Sequence, residues 1–136
     1  MNVTLTLTGH QTDESGAENI TETKAIAEYY EKNGTLYIFY DETIEGTDAT
    51  IKNTIKFKNN VLEMSKKGLY NTRMVFDPAH EFQADYQTPF GRLTMDIHTT
   101  LVNCTYKEDL PQITAQYTLQ SGGALISQTT VHIQLF

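Results

Sequence analysis

Hydrophobic and polar residues alternate with a period of two along most of this chain. Val3, Leu5 and Leu7 interleave with Thr4, Thr6 and Thr8, the signature of a strand with one buried face. Leu36, Ile38 and Tyr40 share one face, with Tyr37 and Phe39 on the other. Ile51, Asn53, Ile55 and Phe57 oppose Lys52, Thr54, Lys56 and Lys58. Shorter strands are predicted at 61–65, 71–77 and 81–87. Leu93, Met95 and Ile97 then open a strand that runs toward Tyr106, with a bend at Thr99-Thr100, and Lys107–Gln112, containing Leu110-Pro111, ends it. Residues 17–32 are ambiguous, because alanine and glutamate favour helix there. Thr21, Thr23 and the Tyr29-Tyr30 pair favour strand, and Asn33-Gly34 follows as a hairpin turn in which both residues accept positive φ. The segment is read as a strand.

The last hairpin argues for closure. Leu110–Phe136 contains no Asp, Glu, Lys or Arg; Ile113, Ala115, Tyr117 and Leu119 alternate with polar residues, and so do Thr129, Val131, Ile133 and Leu135 around Ser121-Gly122-Gly123. An uncharged hairpin on an open edge invites aggregation. Rolling the sheet into a cylinder removes that edge. The expectation is all-β: one domain, residues 1–136, forming a single antiparallel up-and-down barrel of about 8–10 strands. Tyr86 to Thr100 is its organising stretch, a corner of Thr88-Pro89-Phe90-Gly91 leading into a one-sided strand.

Composition adds exclusions. A net charge of −7 and a pI near 4.9, with no clustered basic face, disfavour nucleic-acid binding. No apolar run reaches the roughly 20 residues of a membrane-spanning helix. The N-terminus has neither a positive leader nor a continuous apolar core, and the single Cys104 fits a reducing compartment. The expected location is therefore the cytoplasm. His10, His80, His98 and His132 are scattered and show no metal-ligand spacing. No phosphate loop and no nucleophile elbow occur. No metal, cofactor, nucleic-acid or membrane role is expected, and the chain is read as a monomer or homodimer.

Several stretches together carry a family resemblance: Tyr40-Asp-Glu-Thr-Ile-Glu-Gly46, Lys67-Gly68, Tyr86-Gln-Thr-Pro-Phe-Gly91, the Met95–Thr99 strand, Tyr117-Thr-Leu119 and Val131-His-Ile-Gln-Leu135. They resemble the YwiB-like family of small uncharacterised bacterial proteins, a domain of unknown function with a calycin-type, lipocalin-like barrel. The resemblance implies that fold and no established activity, and it supplies no catalytic residues. Where relatives tend to carry arginine before the Gly68 turn, this chain has Lys66-Lys67.

A small barrel either fills its interior with side chains or holds one small molecule. Polar residues within apolar strands would orient such a molecule. The candidates are Glu42, Arg73, Tyr86, Thr88 and Tyr117, for a small, anionic ligand in the barrel mouth. An inward Arg73 needs a carboxylate, with Glu42 the candidate, or an anion. The competing placement turns Arg73 to solvent while Met74 and Phe76 fill the core. An accessory interaction module with a filled barrel is the alternative function, and an enzyme ranks last.

Overall fold

The computed structural model describes residues 1–68, 71–88 and 91–136, with the backbone alone at 86–88. Ten strands follow one another: β1 (Asn2–Asp13), β2 (Glu18–Lys32), β3 (Thr35–Thr43), β4 (Thr50–Lys58), β5 (Val61–Lys67), β6 (Thr72–Phe76), β7 (Phe82–Thr88), β8 (Gly91–Lys107), β9 (Leu110–Ser121) and β10 (Ala124–Leu135). There is no helix among the described residues. β2 settles the ambiguous segment as strand, because its neighbours reward alternation: Ala25, Ala27 and Tyr29 turn to the core, while Ile26 and Tyr30 stay exposed.

All pairings are antiparallel, in the order β6-β5-β4-β3-β2-β1-β10-β9-β8-β7. Among the described residues, every strand pairs with its neighbours in sequence except β6 with β7, and the first and last strands also meet, from Leu5 opposite Leu135 to Asp13 opposite Ser127. The uncharged β9–β10 hairpin is thereby enclosed between β8 and β1. β6 and β7, the two ends of that order, come round to each other across the Asp77–His80 turn, which a single bridge between those two residues closes. The result is a nearly closed up-and-down barrel. β8 shifts register between Thr99 and Leu101, at the expected bend, since an extra residue in one strand raises its twist.

Two-residue turns set much of the register. Asn33-Gly34, Asn59-Asn60 and Gly122-Gly123 hold both residues at positive φ, the geometry whose twist matches that of the flanking strands. Glu108-Asp109 does the same, at φ 52° and 66°. That turn lies inside the expected break at 107–112 but is shorter than it: β9 begins at Leu110, and the fully buried Pro111 lies within it, opposite Tyr106. The Pro89-Phe90 part of the Tyr86–Gly91 corner lies outside the described residues.

Candidate mouth of the barrel

The barrel interior has two halves with different chemistry. Toward the chain termini it is packed solid by Leu5, Ile38, Ile55, Leu62, Ile113 and Ile133, each essentially inaccessible. Those branched side chains leave no room for a ligand along the whole axis. At the opposite end, where the β1–β2, β3–β4 and β9–β10 turns lie, the packing gives way to a cavity of about 300 Å³. Small and polar side chains line one wall: Gly9 and Gln11 from β1, Asn19, Thr21 and Thr23 from β2, and Thr129 from β10. Met64, Met74, Phe76 and Leu119 supply apolar surface facing them.

Two charged residues enter this cavity because they continue inward-facing rows. Glu42 follows Leu36, Ile38 and Tyr40 on β3, and Lys66 follows Leu62 and Met64 on β5. Lys66 Nζ donates to Glu42 Oε1 at 2.7 Å. Both side chains keep about a third of their surface in water (40% and 31%), so the pair adds at most about 1 kcal/mol to stability. Its value is positional: a cation and a carboxylate are held side by side at the edge of an apolar pocket.

Two tyrosines reach the same space. Tyr117 is buried and packs its ring on Phe76 with centroids 4.5 Å apart, within the range of favourable aromatic contacts. Burial and, second, the nearby Glu42 charge push the Tyr40 phenol well above the ordinary tyrosine range. Both effects disfavour the phenolate. Tyr40 is therefore a neutral hydroxyl throughout the physiological range.

Of the residues singled out from sequence, Glu42 and Tyr117 line the cavity. Arg73 does not. It lies on the outer face of β6, where its Nε donates to Glu63 Oε1 at 2.7 Å and its guanidinium sits 5.3 Å from the Phe82 ring centre. Of the two placements read from the sequence, the outward one holds: Glu42 pairs with Lys66 rather than Arg73, Arg73 pairs with Glu63, and Met74 and Phe76 turn inward. Parity is the reason: Phe76 is fully buried, and every second residue before it shares its face. Arg73 instead braces the barrel opening, since Glu63 is on β5 and Phe82 on β7. Tyr86 and Thr88 stand opposite Leu93 and Gly91 in the β7–β8 ladder, and their side chains lie outside those described.

Sequence reading missed Lys66, grouping it with Lys67-Gly68 as a turn, although it stands at an even spacing from Leu62. It also passed over Thr21 and Thr23, whose inward placement follows from Ala25 and Ala27 at the same spacing. Among the described residues, no three His, Cys, Asp or Glu side chains converge to hold a metal ion. No helix among those residues is long and apolar enough to cross a membrane. Burial raises the Cys104 thiol pKa, which disfavours the reactive thiolate.

Comparison with known proteins bears on the fold. A family model described as a domain of unknown function, DUF1934, matches residues 5–133. The crystal structure of the ywiB protein from Bacillus subtilis superimposes with a TM-score of 0.80 over 98% of this chain and 90% of that one, at 20% identity. At that identity the likeness is one of architecture. No curated protein matches the chain.

Proposed function

The chain belongs to the DUF1934 family, and from its barrel we propose that it binds a small polar molecule in the mouth. One observation carries the reading: an interior packed solid toward the chain termini opens at the other end onto a pre-formed ion pair beside apolar surface. Small-molecule sites have this make-up, mostly apolar walls with a few fixed polar groups. The volume is at the small end of such sites.

The ion pair also refines the expected ligand. Arg73 is turned away, and Lys66 is already neutralised by Glu42, so a purely anionic molecule would have to displace a carboxylate. A molecule carrying both an ammonium and a carboxylate exchanges partners with Lys66 and Glu42 without leaving either charge alone. Tyr40 and Tyr117 add hydroxyls at the pocket wall. The proposal includes no catalytic step: a tyrosine held neutral is a donor, not a base. The lone, partly buried Cys104 supports a cytoplasmic setting.

The test is calorimetric titration and thermal shift with free amino acids, dicarboxylates and diamines as three probe sets. Saturable binding within the amino-acid set, weakened about tenfold or more by Lys66→Met and by Glu42→Gln, is expected, a tenfold loss being the usual order for one charge-assisted contact. Tighter binding of dicarboxylates would overturn the zwitterion assignment. Binding in none of the sets, or binding indifferent to both variants, would overturn the mouth as a site.

A further inference from the structure

We propose that the upper half of β2 pairs with the same segment of a second copy of this chain, continuing the sheet from one barrel into the next. The β2–β3 ladder runs only from Glu28 opposite Phe39 to Lys32 opposite Thr35. β2 nevertheless continues, paired with β1, up to Glu18. Above Glu28, β3 has left its side, and a groove of about 940 Å³ opens between Lys24–Glu28 and the strand carrying Phe39 and Asp41. Among the described residues, the strand edge from Glu18 to Ile26 has no partner strand on that side.

The direction of its backbone groups follows from the other side. Tyr29 N–H donates to the Met1 carbonyl on the β1 side, at 2.9 Å. Amides alternate along a strand, and the β1–β2 register is unbroken. Ala27, Ala25, Thr23 and Thr21 therefore face β1, whereas Ile26, Lys24, Glu22 and Ile20 direct N–H and C=O to the open edge. Such an edge templates another strand.

Side chains select which strand. The edge carries Ile20, Glu22, Lys24 and Ile26 outward, with both isoleucines about two-thirds exposed (67% and 69%). Laid antiparallel against itself about Thr23, it places Ile20 opposite Ile26 of the second copy and Glu22 opposite Lys24 of the second copy, each twice by symmetry. All four of these pairs join residues whose backbone groups point at the edge, so each exchanges both hydrogen bonds. Inward, Thr21 meets Ala25 and Thr23 meets Thr23, all small. Sliding by two residues in one direction opposes Glu22 to Glu22, and in the other Lys24 to Lys24, both destabilising. A one-residue step would centre the dyad between residues and bring inward-facing positions against outward-facing ones, which the pleat forbids. Charges that guard an edge against unrelated strands are here complementary to their own copy.

Sedimentation equilibrium across micromolar to millimolar protein, combined with charge reversal, tests the pairing. Lys24→Glu is expected to weaken self-association about tenfold or more, through two like-charge contacts per dimer. Adding Glu22→Lys to it is expected to restore the wild-type constant, since the swap keeps complementarity in the same register. Position is tested separately in a Cys104→Ser background. Thr23→Cys lies on the two-fold axis in a pair whose close Cα spacing suits a disulfide, and is expected to cross-link on mild oxidation. Thr21→Cys, on the same face but off the axis, is expected not to. A monomer throughout the concentration range would overturn the proposal. So would equal cross-linking at 21 and 23, or a swap that fails to rescue.

Discussion

Gly68 shows how much one residue decides. Its φ is 151°, and a Cβ there would lie 2.8 Å from the Thr50 carbonyl oxygen and 3.3 Å from the Ile51 Cα. Backbone atoms cannot move aside as the tip of a side chain can. Gly46, at φ 79°, has nothing within 4 Å of such a Cβ. Gly68→Ala is therefore expected to cost roughly 2–3 kcal/mol and Gly46→Ala about 1, the difference coming from the backbone contact together with a φ farther from the left-handed helical region. Urea unfolding of the two variants would show it, and equal losses would refute the contact argument. Tyr40 predicts a pH effect of definite sign. Its folded pKa is raised from 10.0, so its contribution is fully present below pH 10 and is lost as pH rises from there toward the folded value. Tyr40→Phe should flatten the decline of melting temperature above pH 10 relative to wild type; parallel curves would remove Tyr40 as its source.

At the scale of elements, period-two alternation placed the strands well, since a half-buried strand needs that pattern whatever its neighbours are. Turns were legible where their chemistry is local: Asn33-Gly34 and Gly122-Gly123 announce positive φ. Glu108-Asp109 does so less plainly, because only its aspartate tolerates that region, and the turn proved shorter than the expected break at 107–112. Replacing Glu108-Asp109 by Asn-Gly is expected to stabilise the β8–β9 hairpin by about 1 kcal/mol, read as a higher urea midpoint at unchanged slope. An unchanged midpoint would mean that the strands, not the turn, dictate its geometry. Of the candidate site, Glu42 and Tyr117 were legible by parity with buried neighbours. Arg73 was drawn in as a candidate by its scarcity, but its odd spacing from Phe76 sends it outward, the placement the sequence also offered with Met74 and Phe76 in the core. Lys66 was hidden by its neighbours Lys67 and Gly68, which look like a turn. The open edge of β2 had no sequence signal at all, because it depends on where β3 departs.

For the whole molecule, closure through β1 and β10 sets an order of local stability. β1, β9 and β10 have partners on both sides over most of their length, and their inward side chains include Leu5, Ile113 and Ile133, all essentially inaccessible. Their amides exchange with solvent only when the barrel opens as a whole. Among the described residues, β6 has a strand ladder with β5 alone, and its contacts across to β7 include Arg73 over the Phe82 ring, with the Asp77–His80 bridge closing the turn between the two strands. Opening there costs a few side-chain contacts and no ladder, so it belongs to the low end of local unfolding free energies. Native-state hydrogen exchange is expected to give global protection in β1, β9 and β10, and much weaker protection for the β6 amides directed toward β7. The same experiment reads β2 residue by residue: at low protein concentration Thr21, Thr23 and Ala25 are protected, and Glu22 and Lys24 are not. Uniform protection along β6 would mean that the cylinder is sealed by hydrogen bonds between β6 and β7, and the Arg73 brace would lose its assigned role.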